Sequence, residues 1–122
     1  MTGQRILIAD DMSSGRELIR TVLERGGYSV LEAADGQQAL DLVEQELPDL
    51  VILDLQMPIL NGFDVLRRLR ENPRFAHLPI VALTANAMQG DREKCLAAGF
   101  TSYIPKPVSL SQLREQMSLL LG

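Results

Sequence analysis

The chain has 122 residues, 46% of them hydrophobic and 23% charged, a balance that suits one soluble globular core of ordinary domain size. A net charge of -4, with arginines scattered along several segments, argues against a counterion-releasing grip on nucleic acid, so direct binding to DNA is not expected. The lone Cys95 cannot close an internal disulfide, and no apolar segment follows a basic start; neither a secretory signal nor a membrane span is readable, and a reducing, cytoplasmic setting is expected.

Five short apolar runs alternate with segments of helical period, without an internal repeat or linker. Ile6-Leu7-Ile8-Ala9 predicts a first strand that meets Asp10-Asp11. Ser13 or Ser14 offers an N-cap for a helix with Leu18, Ile19, Val22 and Leu23 on one face, and Gly26-Gly27 offers a left-handed stop. Tyr28 to Leu31 predicts a second strand; Asp35-Gly36 opens a helix carrying Ala39, Leu40 and Val43, which must end before Pro48. Leu50 to Leu53 predicts a third strand ending at Asp54, and Phe63, Leu66 and Leu69 mark the helix that follows. Pro79 to Leu83 predicts a fourth strand ending at Thr84, and Asp91 to Ala98 a helix closed by Gly99. Ser102-Tyr103-Ile104 is a weaker fifth strand leading to Lys106-Pro107, before a last helix with Leu110, Leu113, Met117 and Leu120 on one side.

Alternating strands and helices imply parallel pairing, and the unbroken apolar runs of the first, third and fourth strands imply helices on both faces. The expected fold is a doubly wound α/β sandwich, forming one domain over residues 1–122. In such sheets ligands bind outside the carboxyl ends of the strands, where Asp10, Asp11, Asp54, Thr84 and Lys106 all fall. Three converging carboxylates repel one another, and one lysine offsets one charge of three, so the cluster must hold a proton or recruit a divalent cation. Oxygen-only ligands suit a hard ion, and a few carboxylates with several waters describe Mg2+ better than a closed Ca2+ cage. A phosphorylated ligand would follow, with the Lys106 ammonium and the Thr84 hydroxyl bonding its free oxygens and one acid, Asp54 on the central strand, attacking phosphorus to form an aspartyl phosphate.

The acid pair, the stretch "ILDLQMPILNG" around Asp54, "ALTANAM" around Thr84 and "YIPKPV" around Lys106 together resemble the receiver domain of two-component response regulators over essentially the whole chain. The run "LTANAMQGDREKCLAAGF" is most similar to receivers of hybrid histidine kinases, and with a Met start and an end just after its last helix the chain is expected to be a stand-alone or an excised receiver. The resemblance implies the flavodoxin-like strand order 2-1-3-4-5 and phosphoryl transfer to Asp54 from a histidine kinase or histidine phosphotransfer protein. It implies that Asp11, Asp54 and the backbone carbonyl of Gln56 bind Mg2+, with Asp10 acting through water, and that Lys106 and Thr84 hold the phosphoryl oxygens. Tyr103 would change rotamer with Thr84, altering a partner-binding surface of the fourth helix, fifth strand and fifth helix. The Lys106-Pro107 bond would be cis. Gln56 and Asn86, two places beyond Asp54 and Thr84, would flank the water that removes the phosphoryl group, and as uncharged amides would tune its lifetime without acting as bases. The implied role is that of a signalling phosphoacceptor with self-catalysed transfer and autodephosphorylation, with kinase activity only within a larger hybrid kinase, acting on a downstream protein target.

Other residues read more plainly. Cys95 among Leu96, Ala97 and Ala98 is a small packing side chain, Met57, Met88 and Met117 are packing residues, and His77 has no second imidazole or thiol with which to share a metal. Gly62 and Gly99 are expected to supply positive φ. Rival readings each lack a part: a haloacid-dehalogenase-like phosphatase needs a second acid where Gln56 stands, a flavin carrier needs a Ser/Thr/Gly-rich loop in place of Asp10-Asp11, and a purely structural module has no use for acids gathered round a lysine.

Overall fold

A parallel sheet of five strands in the order β2-β1-β3-β4-β5 forms the middle of the computed structural model, which describes residues 3–85 and 90–121. The strands are β1 (Arg5–Ala9), β2 (Ser29–Ala33), β3 (Leu50–Asp54), β4 (Ile80–Thr84) and β5 (Ser102–Pro105). The helices are α1 (Ser13–Arg25), α2 (Gly36–Glu46), α3 (Gly62–Arg70), α4 (Asp91–Ala98) and α5 (Leu110–Leu121). The chain order and strand order are those expected of the flavodoxin-like doubly wound fold.

Alternation along the strands sorts the core into two layers. Leu7, Val51, Leu53, Ile80 and Ala82 face α2, α3 and α4, where they meet Val43, Val65, Leu69 and Cys95. Ile6, Ile8, Leu50, Ile52, Val81, Leu83 and Ile104 face α1 and α5, where they meet Ile19, Leu23, Leu113 and Met117. β3 is buried along its whole length because β1 and β4 flank it and helices cover both faces, which is why it reads as an unbroken apolar run.

Local chemistry sets the element ends. The Asp35 carboxylate accepts the Gln38 N–H at 2.8 Å to start α2, and Asn61 with Asp64 forms a reciprocal capping box at α3. α4 lies between two left-handed glycines, Gly90 (φ 88°) and Gly99 (φ 116°).

Several expectations are corrected. β2 lies one residue later at its start and runs to Ala33, because as an edge strand it is only half covered and its apolar pattern is weak. α1 is capped by neither serine: Met12 holds the cap position, and the preceding turn is fixed by its N–H on Asp10 Oδ1 at 3.0 Å. The left-handed residue after α1 is Gly27 (φ 93°) alone, since Gly26 has φ -81°. Leu18 is not on the buried face but 52% exposed, and Leu110 is also exposed. Gly62 does not have positive φ; a Cβ there would lie 2.6 Å from the Asp54 carbonyl oxygen, so glycine is required by close approach. A 3-10 turn over Pro73–Phe75 adds an unexpected element, and next to it Arg70 donates to the carbonyls of Phe75, Leu78 and Gly99, tying the end of α3 to the end of α4. Cys95 and Met117 are buried and Met57 packs on the core, as expected; Met88 lies outside the described residues.

Candidate functional site

Strand register draws the polar residues together. Ala9 pairs with Leu53, so Asp10 comes beside Asp54; Asp54 pairs with Leu83, and Thr84 pairs with Pro105, which brings Lys106 to the same edge. Neighbouring strands are about 4.8 Å apart, so side chains from three or four strand ends can meet there. The strand order reverses between β1 and β3, and the crevice at such a switch point is where this fold class places ligands. Among the described residues the buried polar side chains are Asp10, Asp54 and Thr84, all at this edge. Polar groups are costly to bury, so their concentration here needs a reason beyond packing.

Alternation divides the site as it divides the core. Asp10, Asp54 and Lys106 continue the side of their strands that faces α1 and α5, whereas Thr84 and Tyr103 continue the side that faces α4. The Lys106 ammonium donates to Asp54 Oδ2 at 2.5 Å and lies 3.5 Å from Asp10 Oδ2. Asp54 Oδ1 accepts the Gln56 N–H at 3.0 Å, so both carboxylate oxygens are oriented by fixed donors. Burial alone would lower the Lys106 pKa, but the bond and charge of Asp54, with Asp10 behind them, outweigh it and hold the ammonium above its ordinary value. The backbone closes the edge: Lys106 N–H donates to Thr84 O at 2.7 Å, and the Lys106-Pro107 bond is cis.

A cleft of about 270 Å3 opens over these groups, lined by Asp11, Asp54, Gln56, Thr84, Asp91 and Lys106 among others. One carboxylate oxygen each from Asp10, Asp11 and Asp54 lie within 4.8 Å of one another. Mg2+ with oxygens at 2.0–2.1 Å sets neighbouring ligands about 2.9 Å and opposite ligands about 4.2 Å apart, so oxygens gathered within 4.8 Å of one another are on the scale of one ion's shell. Asp10 and Asp54 are each held at both oxygens, by the Met12 N–H or the Gln56 N–H and by Lys106, whereas Asp11 is the exposed member of the set. Three carboxylates with no nitrogen or sulfur ligand among them form a donor set that fits a hard ion such as Mg2+.

The two amides expected to flank the hydrolytic water fall differently. The Gln56 side chain is exposed at the cleft, while Asn86 lies outside the described residues. Reading the sequence missed three side chains. Arg16 donates to the Asp10 carbonyl at 2.6 Å and to Glu32 on β2, bracing the acidic loop from α1. Asp91 accepts the Thr84 hydroxyl at 2.8 Å, and the Arg92 guanidinium lies 5.7 Å from the centre of the Tyr103 ring. The four-residue spacing of Arg16 and Arg20 was a readable signal for the first; no spacing rule links a strand end to the helix start seven residues on.

A doubly wound sheet whose switch point carries three acids, a lysine and a hydroxyl has a polar α/β site at the carboxyl edge where this fold class binds ligands. Residues 6–118 match the response regulator receiver domain family, and the chain belongs to that family. It is 34% identical to the polar-differentiation response regulator DivK of Brucella anthropi, over 96% of this chain and 95% of that protein. The receiver domain of the sensor histidine kinase PA1611 from Pseudomonas aeruginosa, solved with a magnesium ion coordinated in its active-site cleft, is 38% identical; the match covers 98% of both chains with a TM-score of 0.90. The chemotaxis response regulator CheY4 of Vibrio cholerae is 29% identical, with 98% of this chain and all of that one covered at a TM-score of 0.91. Among the described residues no helix is long and apolar enough to cross a membrane.

Proposed function

We propose that Asp54 is the phosphoacceptor of a two-component phosphorelay and takes its phosphoryl group from a phosphohistidine of a histidine kinase or histidine phosphotransfer protein. The observation that carries this reading is the Asp54 carboxylate held between the Gln56 N–H and Lys106, beside oxygens of Asp10 and Asp11. An oxygen of Asp54 attacks phosphorus in line as the P–N bond to the donor imidazole breaks; the electron pair stays on the imidazole nitrogen, which takes a proton from water. Asp11, Asp54 and the Gln56 carbonyl would hold Mg2+, with Asp10 through water, and the ion would supply the positive charge that lets two anionic groups meet. Lys106 then shifts from Asp54 Oδ2 to a phosphoryl oxygen, and the Thr84 hydroxyl takes a second. Gln56, exposed at the cleft, faces the water that later hydrolyses the acyl phosphate and tunes its lifetime. Rearrangement of Thr84 and Tyr103 alters the surface of α4, β5 and α5 for a downstream protein.

The test is incubation with acetyl phosphate, with and without Mg2+, followed by intact mass. One phosphoryl group should be added only with Mg2+ and not to Asp54→Asn. Full labelling of Asp54→Asn would move the acceptor elsewhere, and labelling unaffected by chelation would remove the metal.

A further inference from the structure

Thr84 and Tyr103 sit on the α4 side of β4 and β5, and the first turn of α4 touches both. Ala82 pairs with Tyr103 and Thr84 with Pro105, so the hydroxyl and the ring are diagonal neighbours on one face. Asp91 Oδ2 accepts the Thr84 hydroxyl at 2.8 Å, and Arg92, the next residue, sets its guanidinium over the Tyr103 ring. The helix they belong to is short: it has eight residues, and Cys95 is its one fully buried side chain. A short helix with one buried anchor depends on its polar links for position.

We propose that Asp91 and Arg92 form a latch that keeps Thr84 and Tyr103 in the unphosphorylated arrangement, and that engagement of a phosphoryl group breaks the Thr84–Asp91 bond and frees the first turn of α4. The inference rests on the reading of Asp54 as phosphoacceptor for its trigger, and on the α4 contacts alone for the latch. A hydroxyl has one proton to donate. When Thr84 gives it to a phosphoryl oxygen, Asp91 loses that donor, and its charge then faces a second anion across the same cleft. Both changes push the start of α4 away from the sheet. The end of the helix stays tied, because Arg70 donates to the Gly99 carbonyl at 3.0 Å. The expected motion is therefore a swing of the first turn about a fixed end. Asp91 is a positioning residue: it acts through Thr84.

Two measurements test it. In the unphosphorylated protein, amide exchange over residues 91–95 should quicken about fivefold in Asp91→Ala and in Thr84→Val, and Asp91→Ala should add nothing further in the Thr84→Val background, where the bond is already gone. Independent, additive effects or no effect would overturn the latch whether or not Asp54 is phosphorylated. The second measurement is the affinity for beryllofluoride with Mg2+, a phosphoryl analogue. Asp91→Ala should tighten it about tenfold, equivalent to about 1.4 kcal/mol. Asp91→Asn, which keeps an acceptor, should fall between wild type and Asp91→Ala, and in the Thr84→Val background most of the gain should vanish. Equal gains for Asn and Ala that persist without the Thr84 hydroxyl would mean simple charge repulsion and overturn the latch. Absence of any beryllofluoride binding by wild type would count against the phosphoacceptor reading and so against the proposed trigger, leaving amide exchange to decide the latch contact.

Discussion

The backbone around Asp54 leaves no room for a side chain at residue 62. A Cβ on Gly62 would lie 2.6 Å from the Asp54 carbonyl and 3.0 Å from Leu55 Cα, both rigid backbone, while the Gly62 N–H donates to the Leu55 carbonyl at 3.1 Å. Gly62→Ala must therefore move the peptide that aims the Asp54 carboxylate. It should lower stability by about 1–3 kcal/mol, the usual range for overpacking, and should weaken Mg2+ binding as well. Urea unfolding and metal titration of the variant check this; stability lost with metal affinity intact would separate the packing from the site. The residue types at the site were legible in the sequence, because Asp54 and Thr84 end strands and Asp10 and Lys106 directly follow others, at the edge where this fold binds ligands. What Gly62 and Asp91 do was not, since close approach and a strand-to-helix hydrogen bond depend on packing that no local spacing encodes.

Among the elements, β2 and α1 are joined by charge where the apolar contact is thin. Glu32 on β2 accepts from Arg16 at 3.1 Å and from Arg20 at 2.5 Å, one turn apart on α1. Burial on its own would raise the Glu32 pKa, but the bonds and charges of the two arginines outweigh it and hold the carboxyl below its ordinary value. A carboxyl with a depressed folded pKa binds its proton more readily in the unfolded chain, so its contribution is present above the unfolded value near about 4.3 and is lost as pH falls through the folded value. Glu32→Gln should thus cost about 1 kcal/mol at neutral pH, since the pair is partly exposed, and the gap from wild type should close as pH drops below about 4. Urea midpoints measured from pH 7 to pH 3 check it, and a gap that stays constant would assign the loss to packing. The same edge position explains why β2 was the strand placed least well from sequence: half-covered residues carry no unbroken apolar run, and the ion pair that compensates lies in residues twelve and sixteen apart. β3 and β4, buried at every position, were legible almost to the residue.

At the scale of the molecule, one sheet serves two cores, and this ties the site to the stability of both. Leu23 of α1 belongs to the layer shared with α5, and Leu69 of α3 to the layer shared with α2 and α4; the sheet lies between them. Neither layer can be lost alone, because each strand contributes alternate side chains to both and β3 has no face open to water. Leu23→Ala and Leu69→Ala should each destabilise by about 2–5 kcal/mol, the cost of deleting a buried leucine side chain. They share no contacts across the sheet, so the double variant should show the sum of the two to within about 0.5 kcal/mol. Such a sum approaches the 5–15 kcal/mol typical of a whole domain, so the double variant should be near its unfolding midpoint without denaturant. Both single variants should still unfold in one step, with far-ultraviolet circular dichroism and the fluorescence of Tyr28, which packs in the α1–α5 layer, and Tyr103, which packs in the other, changing at the same urea concentration. Two separate transitions would mean that the layers fold as independent units, and that the Asp54 edge can survive the loss of one of them.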